Sequence, residues 1–361
     1  MRDGAGIGAS RRLSPSLLIA LRLSRYNAMK GTRMAQIGYV LSHEQFRTPQ
    51  LLEFSVAAER AGFDMLWTSD HFHPWQDNQG HAGQAWITLA AVGQKVSLPF
   101  GTGVTCPTFR YHPAVVAQAF ASLGVLYPGR VFLGLGTGEA LNEQAVTSEW
   151  GDYDERAERF MEAVQIIRQL HTGEWTIFAG DYYEVGPAKL YDIPEQPVPL
   201  YLAAEGPKAM HLAGKFGDGV ISDSKTLMQP EMRQQFEAGA REAGKDPQAM
   251  TRHAEQFVIV GGEAERDAAA RLWRFLPKAW TEYVNDPDPR DIEKGALATI
   301  TPEQTAETWV VSADPQVHIG KLQALIDGGV THIYVHPGNA DQEHAIEFYG
   351  KEVLPHLSHG K

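Results

Sequence analysis

Short apolar runs alternate along the chain with segments of helical periodicity, from about residue 34 onward. Apolar runs of roughly four to eight residues, bounded by turn-forming residues, are typical of buried strands. The strands predicted in this way are residues 36–41, 65–69, 100–106, 131–136, 199–204, 219–223, 254–260 and 331–336. Helices are predicted at residues 49–61, 86–94, 113–126, 152–170 and 340–353. This α/β alternation favours a closed parallel (β/α)₈ (TIM) barrel over an open sheet.

Two insertions interrupt the alternation, at residues 175–197 and 279–301. Long segments of this kind in a compact domain usually have a functional role. We expect both to lie at the carboxyl-terminal mouth of the barrel and to shape a pocket there.

Polar residues follow several of the predicted strands, where barrel enzymes carry their chemistry. The fourth strand ends in Gly134, Gly136 and Gly138, which leave the backbone open to a ligand. This spacing resembles a dinucleotide-binding fingerprint only weakly, because the final glycine lacks the two-residue gap before it. The candidate residues after the second to sixth strands are Asp70, His71, Trp75, Cys106, Thr137, Gly138, Glu139, Asn142, Glu205, Gly206 and Lys225.

His71 and Glu139 are the candidates best placed to move protons. Histidine exchanges protons close to neutral pH, so His71 could take the proton of an alcohol as its carbon gives up a hydride. Glu139, in a pocket that excludes water, could deliver a proton to the hydride acceptor. Trp75 offers a flat wall for a ring system, and Asp70 could accept hydrogen bonds from a cofactor. The helix that opens after Gly206 could hold an anion at its amino end.

Each candidate also has a structural interpretation. His71 could be an ordinary surface histidine, Glu139 a first-turn acid favoured by the helix dipole, and Trp75 a core residue. His71, His73 and His81 could suggest a metal site, but no second set of carboxylates and histidines has the spacing of ligands. These alternatives stay open at the level of the sequence.

The composition narrows the possible partners and compartments. The net charge of -12 argues against nucleic acid and anionic membranes, and no apolar run reaches the about 18 residues of a membrane span. Cys106 is the only cysteine, so an internal disulfide is impossible and a reducing compartment such as the cytoplasm is expected. Cys106 fits a small buried apolar residue better than a nucleophile, because no basic residue flanks it before Arg110.

Residues 1–33 differ from the rest of the chain, with seven Lys/Arg and one acidic residue. The Ser-Arg-Arg sequence at residues 10–12 and the apolar stretch at residues 17–21 could form a twin-arginine export signal. Arg22 and Arg25 cut the apolar stretch short, and no clear cleavage site follows. We therefore interpret residues 1–33 as a disordered basic extension and residues 34–361 as a single barrel.

Several motifs resemble those of a known family. Residues 69–75 (SDHFHPW), 108–114 (TFRYHPA), 117–121 (AQAFA) and 136–143 (GTGEALNE) are similar to the F420-dependent glucose-6-phosphate dehydrogenase group of the luciferase-like superfamily. Residues 41–48 (LSHEQFRT), 74–78 (PWQDN) and 317–320 (VHIG) resemble most closely its hydroxymycolic acid dehydrogenase branch. The resemblance covers the chain after Met34. It implies a luciferase-like (β/α)₈ barrel and the deazaflavin coenzyme F420 as hydride acceptor.

The resemblance also implies roles for individual residues. His71 corresponds to the catalytic base, Glu139 to the acid that protonates the deazaflavin, and Trp75 to a stacking residue. Gly103–Val104 corresponds to a bulge with a non-proline cis peptide behind the ring. Cys106 and Glu205 stand where the glucose-6-phosphate enzymes have threonine and glycine. The implied cofactor-binding residues are Asp70, Val104, Cys106, Thr137, Gly138, Asn142, Glu205 and Gly206.

The substrate positions depart from the pattern of the sugar-phosphate enzymes. Of three basic residues that bind phosphate, only Lys225 is retained; the others correspond to Tyr283 and Thr308. Each charge-assisted hydrogen bond contributes about 1.5–3 kcal/mol, so losing two lowers phosphate affinity by roughly two to four orders of magnitude. This favours an unphosphorylated, larger and more apolar alcohol.

We therefore predict an F420-dependent dehydrogenase that oxidises a secondary alcohol to a ketone, without a metal, as a homodimer in the cytoplasm. The alternatives are an F420-dependent sugar-6-phosphate (glucose-6-phosphate) dehydrogenase, an FMN-dependent luciferase-like monooxygenase, and a non-catalytic ligand-binding barrel. The paired His71 and Glu139 argue against the last of these.

Overall fold

The computed structural model describes residues 35–357. The predicted basic extension, residues 1–33, lies outside this range, as do residue 34 and residues 358–361 of the predicted barrel. Within residues 35–357, no helix is both long and apolar enough to cross a membrane.

Eight parallel strands close into the predicted barrel, in the order β1, β2, β3, β4, β7, β8, β9, β11 and back to β1. The barrel strands are β1 (Gln36–Leu41), β2 (Met65–Thr68), β3 (Phe100–Thr102), β4 (Val131–Leu135), β7 (Leu200–Ala203), β8 (Gly219–Asp223), β9 (Thr251–Val260) and β11 (His332–Pro337). Three further strands lie outside the ring: β5 (Thr176–Ala179), β6 (Glu184–Ala188) and β10 (Val310–Ser312). The (β/α)₈ prediction is confirmed.

Helices connect the strands on the outside of the barrel, and the five predicted helix ranges correspond to five of them. Those before β9 are α1 (Thr48–Ala61), α2 (Ala85–Lys95), α3 (Pro113–Leu126), α4 (Ala140–Thr147), α5 (Tyr153–Leu170), α6 (Pro207–Phe216), α7 (Ser224–Leu227) and α8 (Pro230–Glu242). Those after β9 are α9 (Glu263–Leu272), α10 (Pro289–Thr299), α11 (Pro302–Thr305), α12 (Pro315–Asp327) and α13 (Gln342–Phe348). Several begin at a proline, which lacks the amide proton that a first helical turn leaves unpaired.

Strand β3 is shorter than the predicted residues 100–106. It ends at Thr102, and the Gly103–Val104 peptide that follows is cis, as the family resemblance implied. Thr105 then returns to the sheet through a single parallel bridge to Leu135. The backbone therefore forms a bulge at the carboxyl end of β3.

The sequence prediction missed strand β10 and the start of β9. Strand β9 begins at Thr251, before the predicted residue 254, and its last residues pair with β10 through Val258 and Val310. Strand β10 has only three residues, too few for a periodic pattern to be recognised.

The two predicted insertions have regular structure of their own. Strands β5 and β6 form an antiparallel hairpin, whose tip donates backbone hydrogen bonds to Glu162 of α5. The tip residue Tyr183 packs edge-on against His112, the residue before α3. The second insertion contains a π-helix, Ala279–Tyr283, followed by α10. It contacts the start of α4 through a hydrogen bond from Ala140 N to Val284 O.

Aromatic side chains fill the barrel interior. Trp67 of β2 stacks on Tyr334 of β11 with ring centroids 3.8 Å apart, and Phe132 packs in the same cluster. Closer to the amino ends of the strands, His253 and His332 stack at 4.2 Å. The interior is therefore closed towards the amino ends, which leaves the carboxyl ends to form the site.

Candidate active site

Asn142 brings His71 and Glu139 together at the carboxyl end of the barrel. Glu139 is the residue before α4 and has extended backbone, which places Asn142 in the first turn of that helix. Asn142 Nδ2 donates a hydrogen bond to Glu139 Oε2 at 2.9 Å and lies 3.2 Å from His71 Nδ1. Asn142 Oδ1 accepts from the backbone amides of Phe72 and His73 at 2.7 and 3.2 Å. The buried amide thus joins the loop after β2 to the loop after β4.

The hydrogen bonds of His71 leave one ring nitrogen available as a base. Nδ1 lies 3.0 Å from the carbonyl oxygen of His73. Because a carbonyl only accepts hydrogen bonds, Nδ1 carries a proton in this contact, and Asn142 then donates to Glu139 alone. Nε2 is unprotonated in the neutral ring and lies 3.6 Å from Glu44 Oε1. Nε2 is therefore the atom that can take a proton.

Glu44 is a member of the site that the sequence reasoning did not select. Its carboxylate is buried, accepts a hydrogen bond from Ser42 Oγ at 3.0 Å and faces His71. Burial alone would raise the pKa of Glu44, but the positive charge of His71 and local hydrogen bonds outweigh it, and the pKa is lowered. Its position just after β1 was a usable signal, because the other candidates follow their strands in the same way.

The side chain of Asp70 is already satisfied by protein groups. Its carboxylate accepts hydrogen bonds from Thr105 Oγ1 at 2.8 Å, Arg110 Nη2 at 3.3 Å and Tyr111 OH at 3.4 Å. Arg110 also faces the fully buried Glu143, whose pKa burial raises to about 8. Asp70 therefore holds the loops after β2 and β3 together.

Trp75 is mostly enclosed by other aromatic residues. Its ring stacks on Phe275 with centroids 4.6 Å apart and meets Trp280 edge-on at 5.9 Å. The His71 ring centroid lies 6.2 Å away. Since only 6% of Trp75 is exposed, it can present an edge to the site, while one of its faces is committed to Phe275.

Backbone with small side chains forms a flat surface between β3 and β4. Gly103 and Val104 in the cis bulge are only partly buried, as is Thr137. A Cβ atom at Gly136 would come within 2.6 Å of Val104, and one at Gly138 within 2.6 Å of Cys106 Sγ. The two glycines therefore let the backbone after β4 pack closely against Val104 and Cys106. Burial raises the pKa of the Cys106 thiol well above its usual value, which fits a packing residue.

The amino end of α6 is open to a ligand. Gly206 precedes the helix, and a Cβ atom there would meet nothing within 4 Å. Glu205 is turned towards β8, where its Oε1 accepts a hydrogen bond from Asp223 N at 3.3 Å. Helix amino ends favour anions such as phosphate, so this end has room for the charged tail of a cofactor.

The three predicted substrate residues lie in different environments. Lys225 on α7 and Thr308 are both exposed. They lie near each other because Gln256 of β9 accepts a hydrogen bond from Ser224 Oγ at 2.6 Å and donates one to the backbone carbonyl of Thr308 at 3.1 Å. Tyr283 is buried in the same apolar cluster as Trp75. The structure therefore brings two of the three together and places Tyr283 in the core.

Two cavities of the described residues lie away from His71 and Glu139. A cavity of about 640 Å³ lies between α9, α11, β10 and α12, lined by residues such as Arg266, Trp309 and Lys321. A smaller one of about 210 Å³ lies near Gly129 and Pro197. Among residues 35–357, no cluster of histidine, cysteine and carboxylate side chains could hold a metal ion.

The sequence matches the family model described as luciferase-like monooxygenase over residues 33–332, and the chain belongs to this family. It is 49% identical over 322 residues to the F420-dependent hydroxymycolic acid dehydrogenase of Mycobacterium tuberculosis, covering 89% of this chain and 88% of that protein. It is 39% identical over 335 residues to F420-dependent glucose-6-phosphate dehydrogenase 2 of Rhodococcus jostii, covering 90% of this chain and 98% of that protein.

A solved structure resembles the whole barrel. An F420-dependent secondary alcohol dehydrogenase in complex with an F420-acetone adduct superposes with a TM-score of 0.84 at 34% sequence identity, covering 90% of this chain and 99% of that one. The tetrahydromethanopterin reductase of Methanopyrus kandleri, at 22% identity and a TM-score of 0.71, shares the fold. The predicted family and fold are confirmed.

Proposed function

We propose that this protein is an F420-dependent dehydrogenase that oxidises a secondary alcohol to a ketone. The observation that carries the proposal is the arrangement of His71 and Glu139 around Asn142. The similar proteins support it, because the three named above as dehydrogenases are all F420-dependent. When bound, the deazaflavin of F420 accepts a hydride from the alcohol carbon.

The residues of the site divide the proton transfers between them. Nε2 of His71 takes the hydroxyl proton, and the Glu44 carboxylate 3.6 Å away stabilises the imidazolium that forms. Oε2 of Glu139 accepts the hydrogen bond from Asn142, which leaves Oε1 as the oxygen that would pass a proton to the cofactor. Asn142 keeps the two side chains on a common side of the barrel mouth. Hydride transfer needs reacting atoms about 3–3.5 Å apart, which depends on such fixed positions.

The surface between β3 and β4 and the amino end of α6 fit a ring with an anionic tail. Val104, Thr137 and Gly138 would lie against the ring, and Gly206 would bind the tail. Cys106 and Asp70 support this surface from below through packing and hydrogen bonds. Of the eight predicted cofactor-binding residues, Val104, Thr137, Gly138 and Gly206 would touch the cofactor. Asp70, Cys106, Asn142 and Glu205 would hold the site in shape through contacts within the protein.

The substrate is an unphosphorylated alcohol with an apolar part. Lys225 and Thr308 are exposed near each other, but Tyr283 is buried and offers no group to a phosphate. Two exposed aromatic residues, Phe72 and Trp280, lie next to His73 and Trp75 and give the mouth an apolar rim. One exposed lysine with an apolar rim suits a bulky alcohol better than a sugar phosphate.

Sugar-6-phosphate oxidation is the second candidate, since one similar protein is named a glucose-6-phosphate dehydrogenase and Lys225 is present. Saturable reduction of F420 by glucose 6-phosphate, lost in Lys225→Ala, would establish it. A third hypothesis is an FMN-dependent monooxygenase of the same family. Oxygen consumption by protein with bound flavin would establish this function.

We further propose that the enzyme is a homodimer in the cytoplasm. Apolar residues exposed on α2 and α3, Ile87, Val115, Val125 and Leu126, provide a surface that a second copy could cover. The single cysteine suits a reducing compartment. Size-exclusion chromatography with light scattering measures the molar mass of the protein and so tests the dimer. The mass of a monomer at micromolar concentration would contradict the proposal.

The proposed function is tested with a panel of alcohols and purified protein. The absorbance of F420 is followed with secondary alcohols of increasing apolar size, hydroxy lipids, plain sugars and glucose 6-phosphate. Separate assays replace F420 with FMN or NADP as the hydride acceptor. We expect loss of F420 absorbance with unphosphorylated secondary alcohols. Turnover with FMN or NADP but not F420 would overturn the proposal.

A further inference from the structure

Arg110, in the loop after β3, reaches the two segments that carry the proposed base and acid. Its Nη2 donates hydrogen bonds to the backbone oxygen of Asp70 at 3.0 Å and to Asp70 Oδ1 at 3.3 Å, and Asp70 directly precedes His71. The backbone nitrogen of Arg110 donates to Glu143 Oε2 at 2.9 Å, and Glu143 directly follows Asn142 on α4. One residue of a third loop therefore contacts the chain neighbours of both His71 and Asn142.

The three charged side chains of this cluster are buried. The exposed fractions are 7% for Arg110, 1% for Asp70 and 0% for Glu143. The guanidinium carbon lies 4.4 Å from the ring centroid of Tyr111, whose hydroxyl donates to Asp70 Oδ1 at 3.4 Å. Buried charges are costly to desolvate, so a charged cluster at this junction of two loops and a helix calls for a reason.

The cluster has two carboxyl groups and one guanidinium, so it is neutral only if one carboxyl group holds a proton. The carboxylate of Asp70 accepts hydrogen bonds from three side chains. Glu143 Oε1 accepts none and lies 3.6 Å from Arg110 Nε, and neither atom has a hydrogen-bond partner within residues 35–357. Burial raises the pKa of Glu143 to about 8, although Arg110 acts in the opposite direction. Glu143 is therefore the member that holds the proton at neutral pH.

We propose that Arg110, together with a neutral Glu143, is a positioning residue that clamps the loop of His71 to helix α4. Asn142 sets the spacing of the His71 and Glu139 side chains, and the clamp holds the two backbone segments that Asn142 joins. The role of the clamp in turnover rests on the proposed function. Arg110 acts through these segments and touches neither the substrate nor the cofactor.

The groups that face Glu143 determine how the clamp responds to pH. Asp70 and Glu139 are its carboxyl neighbours, Arg110 is the cation, and the thiol of Cys106 lies alongside. An opening that exposes Glu143 to water returns it to an ordinary carboxyl group, which ionises near pH 4.5. Between about pH 4.5 and 8, the closed clamp thus binds one proton more than the open one. Opening therefore becomes easier as the pH rises through this range, by up to about tenfold per pH unit.

Amide hydrogen exchange of the purified protein without cofactor measures this opening. The reporters are the amides of Phe72 and His73, which donate to Asn142. After correction for the intrinsic effect of pH on exchange, we expect their protection factors in the wild type to fall about tenfold between about pH 6 and 7. Glu143→Gln has a neutral side chain of the same shape at every pH and should abolish this fall. Glu149→Gln, at an exposed position after α4, should preserve it.

Arg110→Lys tests the clamp itself. Lysine keeps the positive charge but lacks the guanidinium that contacts Asp70 and faces Glu143 at the same time. We expect the protection factors of the same amides to fall about tenfold at about pH 6. With F420 and an alcohol, kcat should fall about tenfold, while the dissociation constant of F420 changes less than about threefold. If Arg110→Lys folds poorly, the comparison of the wild type with Glu143→Gln still decides the inference.

Three results would overturn the inference. These are wild-type protection factors that do not depend on pH, a fall with pH that persists in Glu143→Gln, and equal losses of kcat and F420 affinity in Arg110→Lys. Hydrogen exchange that behaves as expected, without F420 turnover in the wild type, would leave the clamp standing and remove the proposed function instead.

Discussion

His71 and Glu139 come from loops after different strands, yet both side chains meet the amide nitrogen of Asn142, at 3.2 and 2.9 Å. The amide is 1% exposed, and its oxygen is fixed by two backbone amides of the loop that carries His71. The separation between the proposed base and the proposed acid therefore depends on one buried side chain.

Replacing Asn142 should impair turnover more than it impairs the binding of F420. In Asn142→Ala, the loop amides and Glu139 lose their shared partner, and we expect kcat to fall about 10- to 100-fold. The cofactor dissociation constant should change less. Stopped-flow reduction and a fluorescence titration with F420 measure the two quantities. Gln144→Ala, in the same helix, is the control; a fall of the same size there would assign the effect to α4 as a whole.

His71→Ala should lower turnover while leaving cofactor binding nearly intact. General base catalysis typically contributes 10²- to 10⁴-fold, so a loss in that range is expected in kcat. The ring of His71 is 9% exposed, so the change also removes some packing. Equal losses in kcat and in F420 affinity would remove His71 from the role of base.

The backbone surface between β3 and β4 has no room for a side chain at Gly138. Its φ of +82° disfavours other residues, and a Cβ atom would lie 2.6 Å from Cys106 Sγ. We expect Gly138→Ala to lower the free energy of unfolding by about 1–3 kcal/mol, as measured by urea denaturation. Gly186→Ala, where a Cβ atom meets nothing within 4 Å, is the matched control. Equal stabilities of the two variants would contradict this account of the glycine.

Trp280 should discriminate among alcohols by size. It is 56% exposed and meets Trp75 edge-on, so it can cover an apolar group of the substrate. Trp280→Ala should lower kcat/KM about 10-fold for a bulky apolar alcohol and much less for propan-2-ol. Trp175→Ala changes a tryptophan of similar exposure, 63%, beside the β5–β6 hairpin and should alter neither kcat/KM value. A uniform loss across alcohols would place Trp280 outside the substrate site.

The stacked histidines on the barrel floor should make the fold sensitive to acid. Burial lowers the pKa of His332 to about 4, and it lowers that of His253 as well. An unfolded histidine binds a proton near pH 6.5, so the unfolded chain gains protons that the folded chain does not, and stability falls as the pH drops from about 6.5 to 4. For His332 alone the full loss is on the order of 3 kcal/mol.

Urea unfolding at pH 7.5 and pH 5 measures this effect. His332→Gln should narrow the stability difference between the two pH values, because the variant lacks the group that titrates. His344→Gln, at an exposed position of α13, should keep the wild-type difference. A difference in His332→Gln as large as that of the wild type would show that other groups cause the acid sensitivity.

The sequence predicts the barrel and part of the site for a clear physical reason. Parallel strands buried on both faces are continuous apolar runs, so they can be recognised in the sequence. Barrel closure brings their carboxyl ends together, and this rule alone identified His71 and Glu139 as candidates. Contacts between distant segments were not predictable. Glu44 contacts His71 although the two residues are 27 positions apart in the sequence. The burial of Tyr283 depends on packing against α10. The cis peptide at Gly103–Val104 followed from the family resemblance alone, since no local pattern marks it.

Transfer of a deuterium label tests the central claim most directly. A secondary alcohol deuterated at its carbinol carbon is incubated with the enzyme and F420, and the reduced cofactor is examined by NMR and mass spectrometry. The account predicts that one deuterium moves from the alcohol to the deazaflavin and that the ketone forms in equal amount. Reduced F420 without the label, or a labelled alcohol that stays unchanged while glucose 6-phosphate is oxidised, would contradict it.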